Sequence, residues 1–296
     1  MNLPMSVIQF SEGFGSSELV AAVQRIEALG YAELWLPELF GREPIASCGY
    51  LLALTKRLRI STGIANVYAR DADAAAQAAN TLAELSGGRF TLGLGVSHPI
   101  LVEPRGHQWV LPVPKMRAYL TRMREAPILG RKADVPASVV VAGHGPGLMK
   151  VVAEQADGLF ILMQAPATVR LARTIIGPKK AIHVAVRCIL DSDPDRARDL
   201  ARRACAFYIA RPPYHKAWAA VGFNESDWSN GGSDRLIDTI CVWGDAAMIK
   251  TKLQRFVDAG ASHIVLYPCN PDENYSPDQA MSLHWNWPLY EALAPG

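Results

Sequence analysis

One pattern governs what this chain can fold into: short β-rich runs alternate with segments of helical periodicity from one end to the other. "SVIQF" (6–10) reads as a strand. Leu19, Val23, Ile26 and Leu29 then recur at helical spacing, with Ser16 placed as N-cap and Gly30 as the stop. Further strands are expected at "AELWLPEL" (32–39), "LRISTGIANVY" (58–68), within "SGGRFTLGLGVSH" (86–98), and at "SVVVAGHG" (138–145), "GLFILM" (158–163), "AIHVAVRCIL" (181–190) and "HIVLYP" (263–268). Helices are expected between them at 45–57, 71–85, 115–126, 145–156, 167–176, from about 193 to 220, and at 246–260. The helix over 71–85 opens on an acid and closes at Ser86-Gly87-Gly88, as the helix dipole and a left-handed C-cap favour.

Strands joined by short helical crossovers pair in parallel through βαβ units. The fold class is therefore α/β, and the architecture expected is a (β/α)8 TIM barrel. That fold takes about 250 residues, so a chain of 296 leaves room for insertion loops, expected at 98–114 and 211–235. A doubly wound sheet is the competing arrangement. No linker or composition step divides the chain, and residues 1–296 are read as one domain.

Composition serves mainly to exclude. A formal net charge of +2 with acids and bases interleaved lacks the concentrated basic face of a nucleic-acid binder. No apolar run approaches the roughly 20 residues that span a bilayer, and "MNLPMSVIQF" has no signal-peptide pattern. Cys48, Cys188, Cys205, Cys241 and Cys269 are scattered and never spaced as CxxC, which suits buried free thiols in a reducing, cytoplasmic setting. Metal catalysis finds no HExxH or HxH pair, a serine hydrolase no GxSxG elbow, and a Schiff-base aldolase no lysine at a strand end.

In a barrel of this kind the chemistry lies at the C-terminal ends of the strands. That rule selects Glu38, Asn66, Tyr68, Ser97, His98, His144, Met163, Gln164 and Tyr267, with glycines at 63, 93, 95, 143 and 145 around the same mouth. Glycine weakens a strand, so Gly93 and Gly95 ask for an explanation. Close approach by a ligand or by another stretch of backbone would supply it, and barrel packing alone is the plainer alternative. "AGHGPGLMK" (142–150) is a glycine-rich turn opening a helix, whose free N–H groups and positive dipole end suit a phosphate. His183 and Arg187 share one face of a strand and are read as either an anion contact or a structural pair. Many backbone contacts with few acids or bases fit a cofactor that brings its own reactivity.

"LAELSGGRFTLGLGVSH" resembles the hallmark segment of the bacterial luciferase-like monooxygenase superfamily, and "STGIANVYARDADAAAQAANTLAEL", "VVVAGHGPGLMKVVAEQADGLFI" and "GDAAMIKTKLQRFVDAGASHIVLYP" resemble other parts of it in the same order. The resemblance implies a (β/α) barrel carrying FMN or the deazaflavin coenzyme F420, usually as a homodimer. "TGIANVYAR" and "GVSHPILVEPRGH" look closer to the F420-dependent branch, in which a bulge in strand three, often with a non-proline cis peptide, supports the ring; Gly63 and Ile64 match those positions. Carried over position by position, Glu38 and Asn66 would lie near the ring and Gly93 beneath it. Ala142, Gly143, His144 and Gly145, with Met163 and Gln164, would approach the phosphorylated tail. The branch's sugar-phosphate dehydrogenase has an Asp-His pair after strand two and a Glu after strand four. This chain has Glu38-Leu39 and His98 there, so that chemistry does not transfer. The function expected is hydride transfer between C5 of the deazaflavin and a small organic substrate, with His98 the first candidate proton donor and Glu38 the second. An oxygen-using FMN monooxygenase, a non-catalytic flavin-binding barrel and a cofactor-free lyase or isomerase are the alternatives.

Overall fold

The computed structural model describes residues 4–276 and 283–295. Its strands are β1 (Met5–Ile8), β2 (Glu33–Leu36), β3 (Arg59–Thr62), β4 (Ala65–Asn66), β5 (Phe90–Gly95), β6 (Ser138–Ala142), β7 (Gly158–Leu162), β8 (Ala181–Ile189), β9 (Cys241–Trp243) and β10 (His263–Pro268). The helices are α1 (Ser16–Ala28), α2 (Pro44–Leu54), α3 (Ala72–Ser86), α4 (Pro99–Val102), α5 (Pro112–Glu125), α6 (Pro146–Gln155), α7 (Pro166–Ile176), α8 (Pro194–Ile209), α9 (Pro212–Ala219), α10 (Glu225–Trp228), α11 (Asp234–Ile240), α12 (Ala246–Asp258) and α13 (Trp287–Ala292).

The ladder runs β10-β1-β2-β3-β5-β6-β7-β8, every pairing parallel, and closes where β8 pairs with β10 from His183↔His263 to Cys188↔Pro268. This is the (β/α)8 TIM barrel the alternation predicted. Period-two patterning splits each strand between two cores. Val7, Leu34, Ile60, Leu92, Val141, Ile161, Val184 and Leu266 face the helices, whereas Ile8, Trp35, Val140, Phe160, Ala185 and Val265 fill the lumen. Trp35 packs its ring 4.8 Å from that of Phe160. The lumen is thus plugged by side chains, and a ligand can only sit at its ends.

Local chemistry moves several of the expected boundaries. Ser16 is the first helical residue; Gly15 holds the cap position without a side-chain bond, and Gly30 follows the helix in left-handed conformation at φ 83°. The run over 58–68 breaks into β3 and β4 on either side of Gly63–Ile64, whose peptide is cis as the resemblance implied, and β4 pairs with β5 alone. The helical region over 193–220 is two helices. Pro212 and Pro213 cannot continue α8, since proline lacks the N–H a helix interior needs, yet Pro212 starts α9 without strain. The three-residue β9, which pairs in parallel beside the end of β8, is absent from the expected strands. Around it α8, α9 and α11 build a second apolar core, with Tyr208, Tyr214, Trp218, Leu236 and Ile237 buried. All five cysteines are buried and free. Among the described residues no helix is long and apolar enough to cross a membrane.

Candidate active site

Because every barrel strand runs in the same direction, the candidate residues gather at one mouth. On its β2–β5 side the bulge after β3 is held by the chain itself. Glu38, two residues past β2, accepts the Asn66 backbone N–H at 2.6 Å and takes both arms of the Arg70 guanidinium, at 2.9 Å and 2.7 Å. The same guanidinium reaches Glu43 at 2.8 Å. The Asn66 side chain in turn accepts the Tyr68 N–H at 3.0 Å. Both oxygens of Glu38 are therefore engaged, and its side chain is only 7 % exposed.

The glycines of β5 serve this bulge. A Cβ on Gly93 would lie 2.1 Å from the Thr62 carbonyl oxygen and 3.1 Å from the Trp35 ring. A Cβ on Gly95 would lie 1.8 Å from Cδ1 of Ile64. The space beside each glycine is filled by the chain's own atoms, so close approach of backbone and of the bulge side chain explains them.

On the β5–β7 side, His98 follows β5 and His144 follows β6. The His144 ring lies 4.9 Å from that of Tyr214 on α9, and the His98 ring 6.3 Å from the same tyrosine and 6.2 Å from Phe207. Burial holds the His98 imidazole below its ordinary pKa, and the Arg211 charge adds to the effect. Burial likewise pushes His144 down to about 4, helped by the neighbouring His98. Both rings are neutral at pH 7.

Next to them, Ala142 ends β6 and Gly143 and Gly145 lead into α6, whose N-terminus has no side-chain cap. A Cβ on Gly145 would meet nothing within 4 Å, so that turn is open toward its surroundings. Gln164, past the end of the adjacent β7, is 1 % exposed and neither atom of its amide has a hydrogen-bond partner. Nδ1 of His144 and the hydroxyl of Thr168, one turn beyond Gln164, are also buried and unpartnered. A native interior seldom leaves such atoms unsatisfied. Met163 has left-handed backbone at φ 56°, and Ser97 past β5 has φ 54°. Non-glycine residues in that region carry strain and cluster at functional sites. The Met163 carbonyl is held by the indole N–H of Trp218 at 2.8 Å.

His183 and Arg187 both point into the lumen, as period two implied, and meet different surroundings. His183 lies at the floor, stacked on His263 with centroids 4.4 Å apart and 3.9 Å from a Glu33 oxygen. Arg187 is fully buried, its guanidinium 3.5 Å from the Tyr267 ring centroid and donating to the Pro268 carbonyl at 3.1 Å. Arg70, Thr168, Tyr214 and Arg211 were not singled out from sequence. Each matters through contacts formed only in the fold or through burial, neither of which leaves a local motif. A cavity of about 530 Å³ lies on the outer wall between α7, α11 and α12 and takes in none of the candidate residues. At the mouth, Glu38, Leu39, Phe40, Asn66, Ser97, Leu101 and Arg105 line a cleft of about 10 Å³.

Residues 7–263 match the family described as luciferase-like monooxygenase. The 5,10-methylenetetrahydromethanopterin reductase of Archaeoglobus fulgidus is 25 % identical over 317 aligned positions, covering 91 % of this chain and 95 % of that protein. Two solved structures share the fold. An F420-dependent secondary alcohol dehydrogenase in complex with an F420-acetone adduct superposes with a TM-score of 0.74 at 19 % identity, covering 94 % of this chain and 97 % of that one. The coenzyme F420-dependent tetrahydromethanopterin reductase of Methanopyrus kandleri gives 0.71 at 16 %, covering 92 % and 95 %.

Proposed function

This chain belongs to the luciferase-like monooxygenase family, and from that premise we propose that it is an F420-dependent oxidoreductase acting on a small organic substrate. The observation that carries the reading is Gln164. Two buried amide atoms without partners, beside the uncapped glycine-lined start of α6, are donors and an acceptor awaiting a polar ligand. The phosphorylated tail of F420 fits that need, with Gly143, His144, Gly145 and Met163 around it. The Gly63–Ile64 bulge and Asn66 then face the ring. The kinship with F420-dependent proteins supports the deazaflavin over FMN, and carries with it the expectation of a homodimer.

When bound, F420 supplies a two-electron carrier that exchanges hydride at C5 and reacts poorly with oxygen. The protein's own part is to bind, orient and handle the proton. His98 is the residue we assign to the substrate's proton. Burial and Arg211 hold its imidazole below its ordinary pKa, and the neutral ring can take a proton from a hydroxyl being oxidised. Glu38 is not suited to that task, since the Asn66 amide and Arg70 occupy both its oxygens.

The test is to mix purified protein with F420 and a panel of secondary alcohols in the absence of air and follow loss of deazaflavin fluorescence. Substrate-dependent reduction that persists unchanged in air supports the reading. Activity that requires FMN and oxygen replaces it with the monooxygenase alternative, and stoichiometric binding without turnover favours the non-catalytic barrel.

A further inference from the structure

We propose that Arg70 is a positioning residue: through Glu38 it clamps the bulge that faces the cofactor ring. This deepens the F420 reading and rests on it for the identity of the ring. Three segments meet at this guanidinium. It grips Glu38, in the loop after β2, with two N–H groups at 2.9 Å and 2.7 Å, and Glu43 at 2.8 Å. Glu43 caps α2 by accepting the Ala46 N–H at 2.6 Å. Glu38 passes the hold on to the bulge by accepting the Asn66 N–H at 2.6 Å. The Arg70 carbonyl accepts the Tyr119 hydroxyl at 3.2 Å, which ties the clamp to α5.

The chemistry requires arginine at this place. A carboxylate with a side chain 7 % exposed is costly to keep ionised without a paired cation, and only a planar fork satisfies both its oxygens at once. Ionised Glu38 is the stronger acceptor for the Asn66 amide. Remove Arg70 and Glu38 loses the partner that orients both its oxygens, weakening its grip on that amide. The bulge then loses its fixed position relative to β5, while the barrel's other strand pairings stand. Rigid support matters to a ring that must present one carbon to a substrate, because a misplacement of about 1 Å can cost on the order of a hundredfold in rate.

The experiment compares wild type with Arg70→Met, Arg70→Lys and Glu38→Gln, using amide hydrogen exchange in the unliganded proteins and F420 titration by fluorescence. The clamp predicts that Arg70→Met speeds exchange of the Asn66–Tyr68 amides at least about tenfold with β6–β8 unchanged. It also predicts F420 binding weakened about tenfold, because a site that is no longer preorganised costs affinity. Glu38→Gln keeps an oxygen for the Asn66 amide and retains most of the binding, and Arg70→Lys rescues part of it. Unchanged exchange at 66–68 in Arg70→Met overturns the clamp. So does F420 affinity that is equal in wild type and Arg70→Met. A wild type that does not bind F420 overturns the cofactor reading instead, and the exchange comparison still decides the clamp.

Discussion

A methyl group placed on β5 probes the relation between that strand and the bulge most sharply. In Gly95→Ala the new Cβ would stand 1.8 Å from Cδ1 and 2.9 Å from Cγ1 of Ile64, where carbon atoms normally rest about 3.5–4.0 Å apart. Relief requires Ile64 to move by more than an ångström, and Ile64 is only half-buried, so it has somewhere to go. We expect a loss of about 1–3 kcal/mol, the ordinary cost of overpacking. In Gly93→Ala the obstacle at 2.1 Å is the Thr62 carbonyl oxygen, which belongs to backbone paired on the other side with β2 and cannot rotate away. That variant is expected to lose about 3 kcal/mol or more. The assay is urea unfolding of both variants, of Ile64→Ala, and of the double variant Gly95→Ala/Ile64→Ala. Removing the Ile64 side chain beyond Cβ should recover most of the Gly95→Ala penalty, giving a coupling of about 1–3 kcal/mol within the range known for touching residues. If Gly95→Ala is as stable as wild type, or if the two substitutions simply add, the glycines do not serve the bulge and the argument for them fails.

Other expectations follow from the same geometry. Gln164→Leu removes buried polar atoms that lack partners, so the free protein should be as stable as wild type or slightly more so, while F420 binding weakens about tenfold, or about 1.4 kcal/mol; thermal unfolding with and without F420 reads both. His98→Gln should lower turnover about 10²–10⁴-fold with little change in F420 affinity, measured by steady-state kinetics beside a binding titration. For His144, the folded pKa of about 4 lies below the ordinary 6.5, so the unfolded chain binds the proton more tightly. The stability it contributes is complete above pH 6.5 and falls as the medium is acidified, by about 3 kcal/mol at pH 4. The difference in unfolding free energy between wild type and His144→Asn should shrink by that amount across the window, and a constant difference contradicts the burial of that ring.

The alternation was legible because each strand of a closed parallel barrel is buried on both faces and each helix on one, so burial itself writes the period into the sequence. "GLFILM" and "HIVLYP" became β7 and β10 almost to the residue. The break inside 58–68 was legible only through the family resemblance, which set a bulge at Gly63 and Ile64; residue type alone hides it, since Ala65 and Asn66 are strand residues that pair with Leu94 and Gly95. The strand-end rule pointed to Glu38, Asn66, His98, His144 and Gln164, and the barrel brings them to one mouth. What they do there depends on partners the sequence does not mark. Glu38 has both oxygens engaged by Arg70, 32 residues on, and by the Asn66 amide. Burial and the Arg211 charge hold the His98 imidazole below its ordinary pKa. Gly93 and Gly95 left ligand, backbone and packing open as explanations, and Thr62, Trp35 and Ile64 stand against the space beside them.

Equilibrium binding of F420 and FMN, titrated side by side into the purified protein and followed by fluorescence, tests the central claim most directly. The account predicts tight F420 binding with weak FMN binding. Failure of F420 to bind below about 100 μM, roughly −5.5 kcal/mol, or a clear preference for FMN, contradicts it.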